Sequence, residues 1–362
     1  MGTDAMQPQT AAVIAVGSQG RVHLHGYRQR PDVAVVAIAD PDRELAESVA
    51  ADAGVPAVYA DHRELLAAER IDILSICTPP GLHRAIVEDA VAAGVRAIHC
   101  EKPVALTFGD VRGMRDLCRE RGVQLTINHQ RRFETVYRDV RDLVAAGGIG
   151  RLTMLEGYCA NLFDWGSHVL DLLLFLSGDD APETVYGQID VDTIRRIYGA
   201  TAETGSVTHL HWSDGRNAVV FTGRGPEHRA VGPDTGIVLH GTQGRIEIAD
   251  SHAVVRSFDG ASREFRSRIE ERNRVDLGGA DATIIQATTE AIADLVEALR
   301  EGREPALDAR HGVAAAELIF ATYESSARRG SVRLPLQTDD NALLRGIAQG
   351  YWTPVGETTG TF

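Results

Sequence analysis

Short, almost wholly apolar runs recur along the first 125 residues, each closed by turn-forming or polar residues. Residues 11–16 run into Gly17, 33–39 into Asp40, and 71–77 into Thr78-Pro79-Pro80. Residues 95–100 run into Glu101-Lys102-Pro103, and 123–127 into Asn128. Runs of this length predict parallel strands buried on both faces. Between them, residues 22–28, 43–53, 83–93 and 108–121 read as helices. Gly54, Gly94 and Gly122 stand where helix C-caps belong. Alternating strands and helices predict a doubly wound α/β sheet.

Beyond about residue 130 the pattern changes. A charged helix is predicted over 134–146, ending at Gly147-Gly148. Strand-like segments follow at 152–158, 184–191, 205–211, 217–222, 236–240, 245–248 and 252–257. Gly241-Thr242-Gln243-Gly244 forms a hairpin turn between two of them. Helical periodicity returns at 283–301 and 311–329. This order predicts an α/β first domain over 1–128. An α+β second domain over 129–362 carries a large, mostly antiparallel open sheet. No linker rich in Pro, Gly and Ser separates the halves, so late segments are expected to pack back on the first.

Composition narrows the class. The chain has 362 residues, 37 basic against 51 acidic, for a net charge of −14, and is 44% hydrophobic. That is ordinary for a folded protein and argues against nucleic acid as the main partner. No stretch approaches 18 apolar residues, so no membrane span is predicted. Residues 1–10 lack the layout of a secretion signal. Met1-Gly2 begins like a myristoylation site, but Met6 stands where Ser or Thr is needed. Cys77, Cys100, Cys118 and Cys159 form no CxxC pair, so neither a disulfide framework nor a zinc site is indicated. A cytoplasmic protein with reduced thiols is expected.

Two segments carry chemistry. Ala15-Val16-Gly17-Ser18-Gln19-Gly20 lies between the first strand and first helix. It follows the dinucleotide fingerprint except that alanine replaces the first glycine. Gly17 would let the backbone approach a pyrophosphate, and Gly20 would let the helix pack on the strand. Ser18 and Gln19 complete the turn, whose N–H groups face the phosphates. Asp40, 20 residues after Gly20, stands where a carboxylate binds ribose hydroxyls and repels a 2′-phosphate. NAD is therefore expected over NADP. Arg43 is the opposing feature, since it could receive that phosphate.

The second segment is Asp164-Trp165-Gly166-Ser167-His168, followed by Asp171. Asp164 and His168 share one helical face, and His168 titrates near neutral pH. By itself this pattern fits catalysis, a metal site or a structural network. Lys102, at the C-terminal end of a core strand, sits at the edge where open α/β sheets bind ligands.

Together these residues resemble the Gfo/Idh/MocA oxidoreductases. The resemblance spans nearly the whole chain. It rests on the turn at 17–20, Cys77-Thr78-Pro79-Pro80-Gly81-Leu82-His83, Glu101-Lys102-Pro103, Gln130-Arg131-Arg132-Phe133 and Asp164 to His168. It also takes in 241–244 and the late helix with Val332-Arg333-Leu334-Pro335. It implies a Rossmann domain, an open antiparallel sheet domain, and a catalytic set of Lys102, Asp164 and His168. It places Thr78, Pro80, His83, Glu101, Lys102 and Gln130 on the cofactor side. Arg131 joins Lys102, Asp164 and His168 towards substrate. A cis Lys102–Pro103 bond is implied too.

The implied activity is hydride transfer between NAD(P) and a secondary hydroxyl, or ketone, of a sugar or cyclitol. A glycosidase acting through a transient 3-keto sugar, and a non-catalytic NAD-binding regulator, are the competing readings. No metal is expected, and homo-oligomerisation through the C-terminal sheet is. One departure from the family stands beside Ala15. Little more than Ala160-Asn161-Leu162-Phe163 separates the first strand of the second domain from Asp164, whereas many relatives carry a longer loop there. His209 and His211 alternate on a strand, so both point to one face.

Overall fold

A computed structural model describes residues 8–223, 235–249 and 251–359; the leader and acylation readings at residues 1–7 lie outside them. Contacts divide the chain into two compact units. The first holds Met1–Glu101, Gly113–Gln130 and Ile269–Ala309; the second holds Lys102–Arg112, Arg131–Arg268 and Arg310–Phe362.

The first unit is built on a six-stranded parallel sheet. Its strands are β1 (Gln9–Ile14), β2 (Val33–Ala39), β3 (Ala57–Tyr59), β4 (Ile73–Ile76), β5 (Ala97–Cys100) and β6 (Gln124–Ile127), in the order β3-β2-β1-β4-β5-β6. The apolar runs of β1, β4 and β5 are covered on both faces: Ala11, Val13, Ile73 and Ala97 line one face and Ala12, Leu74 and Ile98 the other, all fully buried. Helix α1 (Ser18–Arg28) follows β1 and packs against α8 (Ala282–Glu301). Gly26 permits this approach, since a Cβ there would lie 2.7 Å from Ile292 Cδ1. Helices α2 (Arg43–Ala53), α3 (His62–Ala68), α4 (Pro80–Ala92) and α5 (Phe108–Arg121) complete the crossovers. Strand order reverses between β1 and β4, and the crevice beyond their carboxyl ends is where such sheets bind ligands.

The second unit carries a nine-stranded sheet. In chain order its strands are β7 (Leu152–Cys159), β8 (Thr184–Asp190), β11 (Gly205–His211), β12 (Asn217–Thr222), β13 (Thr235–Gly241), β14 (Gly244–Ala249), β15 (His252–Ser257), β16 (Ser262–Arg266) and β17 (Val332–Arg333). Pairing is antiparallel except between β7 and β12, which run parallel. The exception follows from α7 (Trp165–Leu176), which leaves the end of β7 and lies across β7, β12 and β13. This helix is apolar almost all round and buried from Gly166 to Leu176, as a helix roofing a sheet must be. Gly157 on β7 makes room for it, because a Cβ there would meet Val169 at 2.5 Å. A separate three-stranded sheet joins the hairpin β9 (Ile194–Ile197) and β10 (Ala200–Ala202) to β18 (Glu357–Thr359). No helix among the described residues is long and apolar enough to cross a membrane.

Candidate active site

In the first unit, the turn after β1 has the form a phosphate cradle requires. Ala15 adopts φ +65°, the left-handed conformation that normally selects glycine. The missing glycine of the fingerprint is thus replaced by an alanine that accepts the strained backbone. Gly20 has no such latitude: a Cβ there would sit 2.1 Å from the Ala15 carbonyl oxygen. Gly17 is the N-cap of α1 and makes no side-chain cap bond. The first turn, with Ser18 and Gln19, holds no acidic residue. The N–H groups of such a first turn have no partner within the helix. A Cβ built on Gly17 meets nothing within 4 Å.

Asp40 is buried and braces this turn. Its Oδ2 accepts the Val16 N–H at 2.8 Å, and its Oδ1 accepts the Asp42 N–H at 2.9 Å. The cap of α2 is Asp42, which accepts the Leu45 N–H. Arg43 is largely exposed, and its Nε is bonded to Glu47 at 2.7 Å.

At the end of β4, Pro80 opens α4 and the buried His83 turns Nε2 to the Thr78 carbonyl at 2.8 Å. Besides Thr288 Oγ1 on α8, three buried oxygens in this unit find no hydrogen-bond partner among the described residues: Thr78 Oγ1, Asn128 Oδ1 and Gln130 Oε1. Buried polar atoms are rarely left so, and all three follow the carboxyl ends of β4 and β6. The first-turn N–H groups, the space at Gly17 and these oxygens fit a polar, anionic cofactor such as a dinucleotide.

Glu101 closes β5. Its Oε1 accepts from Asn128 Nδ2 at 2.7 Å and meets His23 Nε2 at 3.0 Å. His23 Nδ1 reaches Ser75 Oγ at 2.9 Å, and Ser75 also meets the Tyr27 hydroxyl at 2.8 Å. His99 lies beside them, its ring centroid 4.8 Å from that of His23 and its Nδ1 2.7 Å from Thr126 Oγ1. Sequence reasoning missed His23, Ser75, His99 and Asn128. Polar residues inside otherwise apolar strand runs, such as Ser75 and His99, were the available signal.

In the second unit, Lys102 is joined to Pro103 by a cis bond. Its Nζ donates to Asp164 Oδ1 at 2.5 Å, both side chains being largely buried. Asp164 is the N-cap residue of α7, and His168 lies four residues on, buried in the same helix. The capping side chain is that of Asn161, whose Oδ1 accepts the N–H groups of Asp164 and Trp165 at 2.7 and 3.3 Å. Asp171 serves packing instead: Arg132 Nε reaches both its oxygens, at 3.0 and 2.8 Å. Arg131 donates to Glu134 at 3.1 Å and lies over the Trp165 ring. No three His, Cys, Asp or Glu among the described residues are grouped to hold a metal. His209 and His211 do share a face, where both ring systems meet Asn217 Oδ1.

Residues 10–129 match the oxidoreductase family described by its NAD-binding Rossmann fold, and residues 159–334 match its C-terminal alpha/beta domain. The chain belongs to the Gfo/Idh/MocA oxidoreductase family. It is 27% identical to D-apiose dehydrogenase of Paraburkholderia graminis over 352 residues, covering 89% of each chain. It is 26% identical to inositol 2-dehydrogenase of Rhizobium meliloti over 346 residues, covering 89% of this chain and 98% of that one. An oxidoreductase from Agrobacterium radiobacter, solved with NAD+, L-tartaric acid and magnesium, shares the fold. Its TM-score is 0.77 at 20% identity, over 90% of this chain and 98% of that one.

Proposed function

We propose that this oxidoreductase transfers hydride between NAD and a secondary hydroxyl, or the corresponding ketone, of a sugar or cyclitol. The observation that carries the reading is the buried Lys102–Asp164 pair at 2.5 Å, one helical turn from His168. The named activities of the apiose and inositol dehydrogenases support the substrate class. Asp40 at the end of β2, and an Arg43 already paired with Glu47, support NAD over NADP.

Gly17, Ser18, Gln19 and Gly20 would hold the pyrophosphate, Asp40 the adenosine ribose, and Thr78, Pro80, His83, Glu101, Lys102 and Gln130 the nicotinamide side. The bound nicotinamide supplies the two-electron acceptor or donor. Lys102, whose Nζ donates to Asp164, hydrogen-bonds the substrate oxygen as negative charge develops there. His168 removes the hydroxyl proton. Asp164 fixes the Lys102 side chain, while Asn161 caps the start of the helix that carries His168. Arg131 faces substrate. Tyr186 and Val207 are exposed on the nine-stranded sheet, and Tyr158 stacks on Phe221 on the same face. That face is assigned to a second copy of the chain, which sedimentation of the purified protein tests: a monomer at micromolar concentration contradicts it.

The test of function is a panel of cyclitols, aldoses and sugar acids, followed by NADH or NADPH absorbance with each cofactor. Net NADH formation with at least one polyol, and slower NADPH formation, is expected. Aryl-glycoside cleavage without net NADH, or cofactor binding without turnover, would overturn the reading.

A further inference from the structure

The four residues that deliver Asp164 are held at every position. The Ala160 carbonyl accepts from Arg195 Nη1 at 3.4 Å. The Asn161 side chain caps α7. The Leu162 N–H donates to Glu203 Oε1 at 2.5 Å. The Phe163 ring packs on Ile197, Ala200 and Ala202 of the β9–β10 hairpin and on Leu106.

Glu203 is the unexpected member. It follows β10 directly and is fully buried, as is Tyr323 on α9 (Ala309–Arg328), whose hydroxyl donates to Glu203 Oε2 at 2.6 Å. Burying a carboxylate is expensive, and an apolar side chain would fill the same space at less cost. What a carboxyl group adds is a directional hydrogen bond to the Leu162 N–H. That N–H lies two residues before Asp164.

We propose that Glu203, braced by Tyr323, is a positioning residue that fixes the Leu162 backbone and through it the placement of the Asp164 carboxylate against Lys102. The role rests on the reading of Lys102 and Asp164 as reacting groups. A short, firmly held loop also gives a physical sense to the departure from relatives with longer loops. The substrate side of Asp164 is set by the hairpin and Glu203 rather than by a long flexible segment.

The test uses the full chain and four variants: Glu203→Ala, Glu203→Gln, Tyr323→Phe and Lys102→Met. Amide exchange at 160–164, NAD affinity, and kcat at saturating substrate and cofactor are measured on each, well below its melting temperature. Glu203→Ala is expected to speed exchange of the Leu162 amide at least about tenfold and to lower kcat about 10–100-fold, with NAD Kd within about twofold of wild type. Glu203→Gln, which keeps an acceptor oxygen for Leu162, restores both readouts to within a few-fold. Tyr323→Phe gives a smaller loss of the same kind and, with Glu203→Gln, carries the test if Glu203→Ala does not fold. Wild-type kcat and exchange in Glu203→Ala, or in Tyr323→Phe where the alanine variant is unfolded, overturns the proposal. So does equal impairment of the alanine and glutamine variants. Full turnover in Lys102→Met instead refutes the reading of the reacting pair and leaves the exchange result standing on its own.

Discussion

Alanine placed separately at Gly17 and at Gly20 divides cofactor recognition from folding. At Gly20 the new methyl would lie 2.1 Å from the Ala15 carbonyl oxygen and 3.0 Å from its carbon. Carbon contacts are comfortable near 3.5 Å or more, so the start of α1 must move off β1 by more than about 1 Å. Overpacking of this kind costs about 1–3 kcal/mol, and because the obstacle is backbone the upper end applies. At Gly17 a methyl meets nothing within 4 Å, and φ is −63°. The folded protein tolerates it, and the lower entropy of the unfolded chain can even add a few tenths of a kcal/mol. The open space is, however, where the proposed reading brings the pyrophosphate in. Losing one charge-assisted N–H bond there is worth about 1.5–3 kcal/mol, or roughly 10–150-fold in Kd. Urea unfolding and titration calorimetry with NAD read the two effects. Gly17→Ala should unfold like wild type yet bind NAD at least about tenfold more weakly, while Gly20→Ala loses both stability and binding. Wild-type NAD affinity in Gly17→Ala would refute a cradle at this turn.

Asp40→Ser removes the carboxylate but leaves an acceptor near the Val16 N–H. The ratio of kcat/KM for NADP to that for NAD should rise about tenfold or more, and an unchanged ratio contradicts the assigned role. Burial, helped by the neighbouring His23, pushes the His99 imidazole down to about 3. Unfolded it titrates near about 6.5. Between these values only the unfolded chain binds the proton. The stability His99 lends is full above about 6.5 and is lost as pH falls, by up to about 1.4 kcal/mol per unit. His99→Gln should flatten the acid side of the stability profile by up to one proton, and parallel profiles contradict this. Arg132→Met would take the guanidinium from Asp171, which is only 1% exposed, and should cost about 3–5 kcal/mol by denaturant unfolding. Adding Asp171→Leu should recover most of it; no recovery would mean that the Asp171 charge is not the source of the loss.

Local signals carried the fold where they were strong. The apolar run at 33–39 and the strand-like segments at 205–211, 217–222 and 252–257 are strands over those same residues, because turn residues bound each sharply. β3 has only three residues, too few to show a period, so it and α3 went unread. The parallel pairing of β7 and β12 was also unreadable, since partner choice lies in the crossover made by α7 and not in either strand. The Lys102–Asp164 contact was legible only as a family resemblance: 62 residues separate the two, and no period links them. Glu203 and His23 were missed for a simpler reason. A buried carboxylate or imidazole looks in sequence like any surface one until tertiary packing surrounds it.

The central claim is that Lys102, held by Asp164, acts on the substrate oxygen. Steady-state kcat of Lys102→Met with the best polyol of the panel, at saturating NAD, tests it most directly. Losing one donor to a developing oxyanion costs about 10²–10³-fold. A loss of that size, with NAD Kd unchanged, is the predicted result. Turnover equal to wild type would contradict the account.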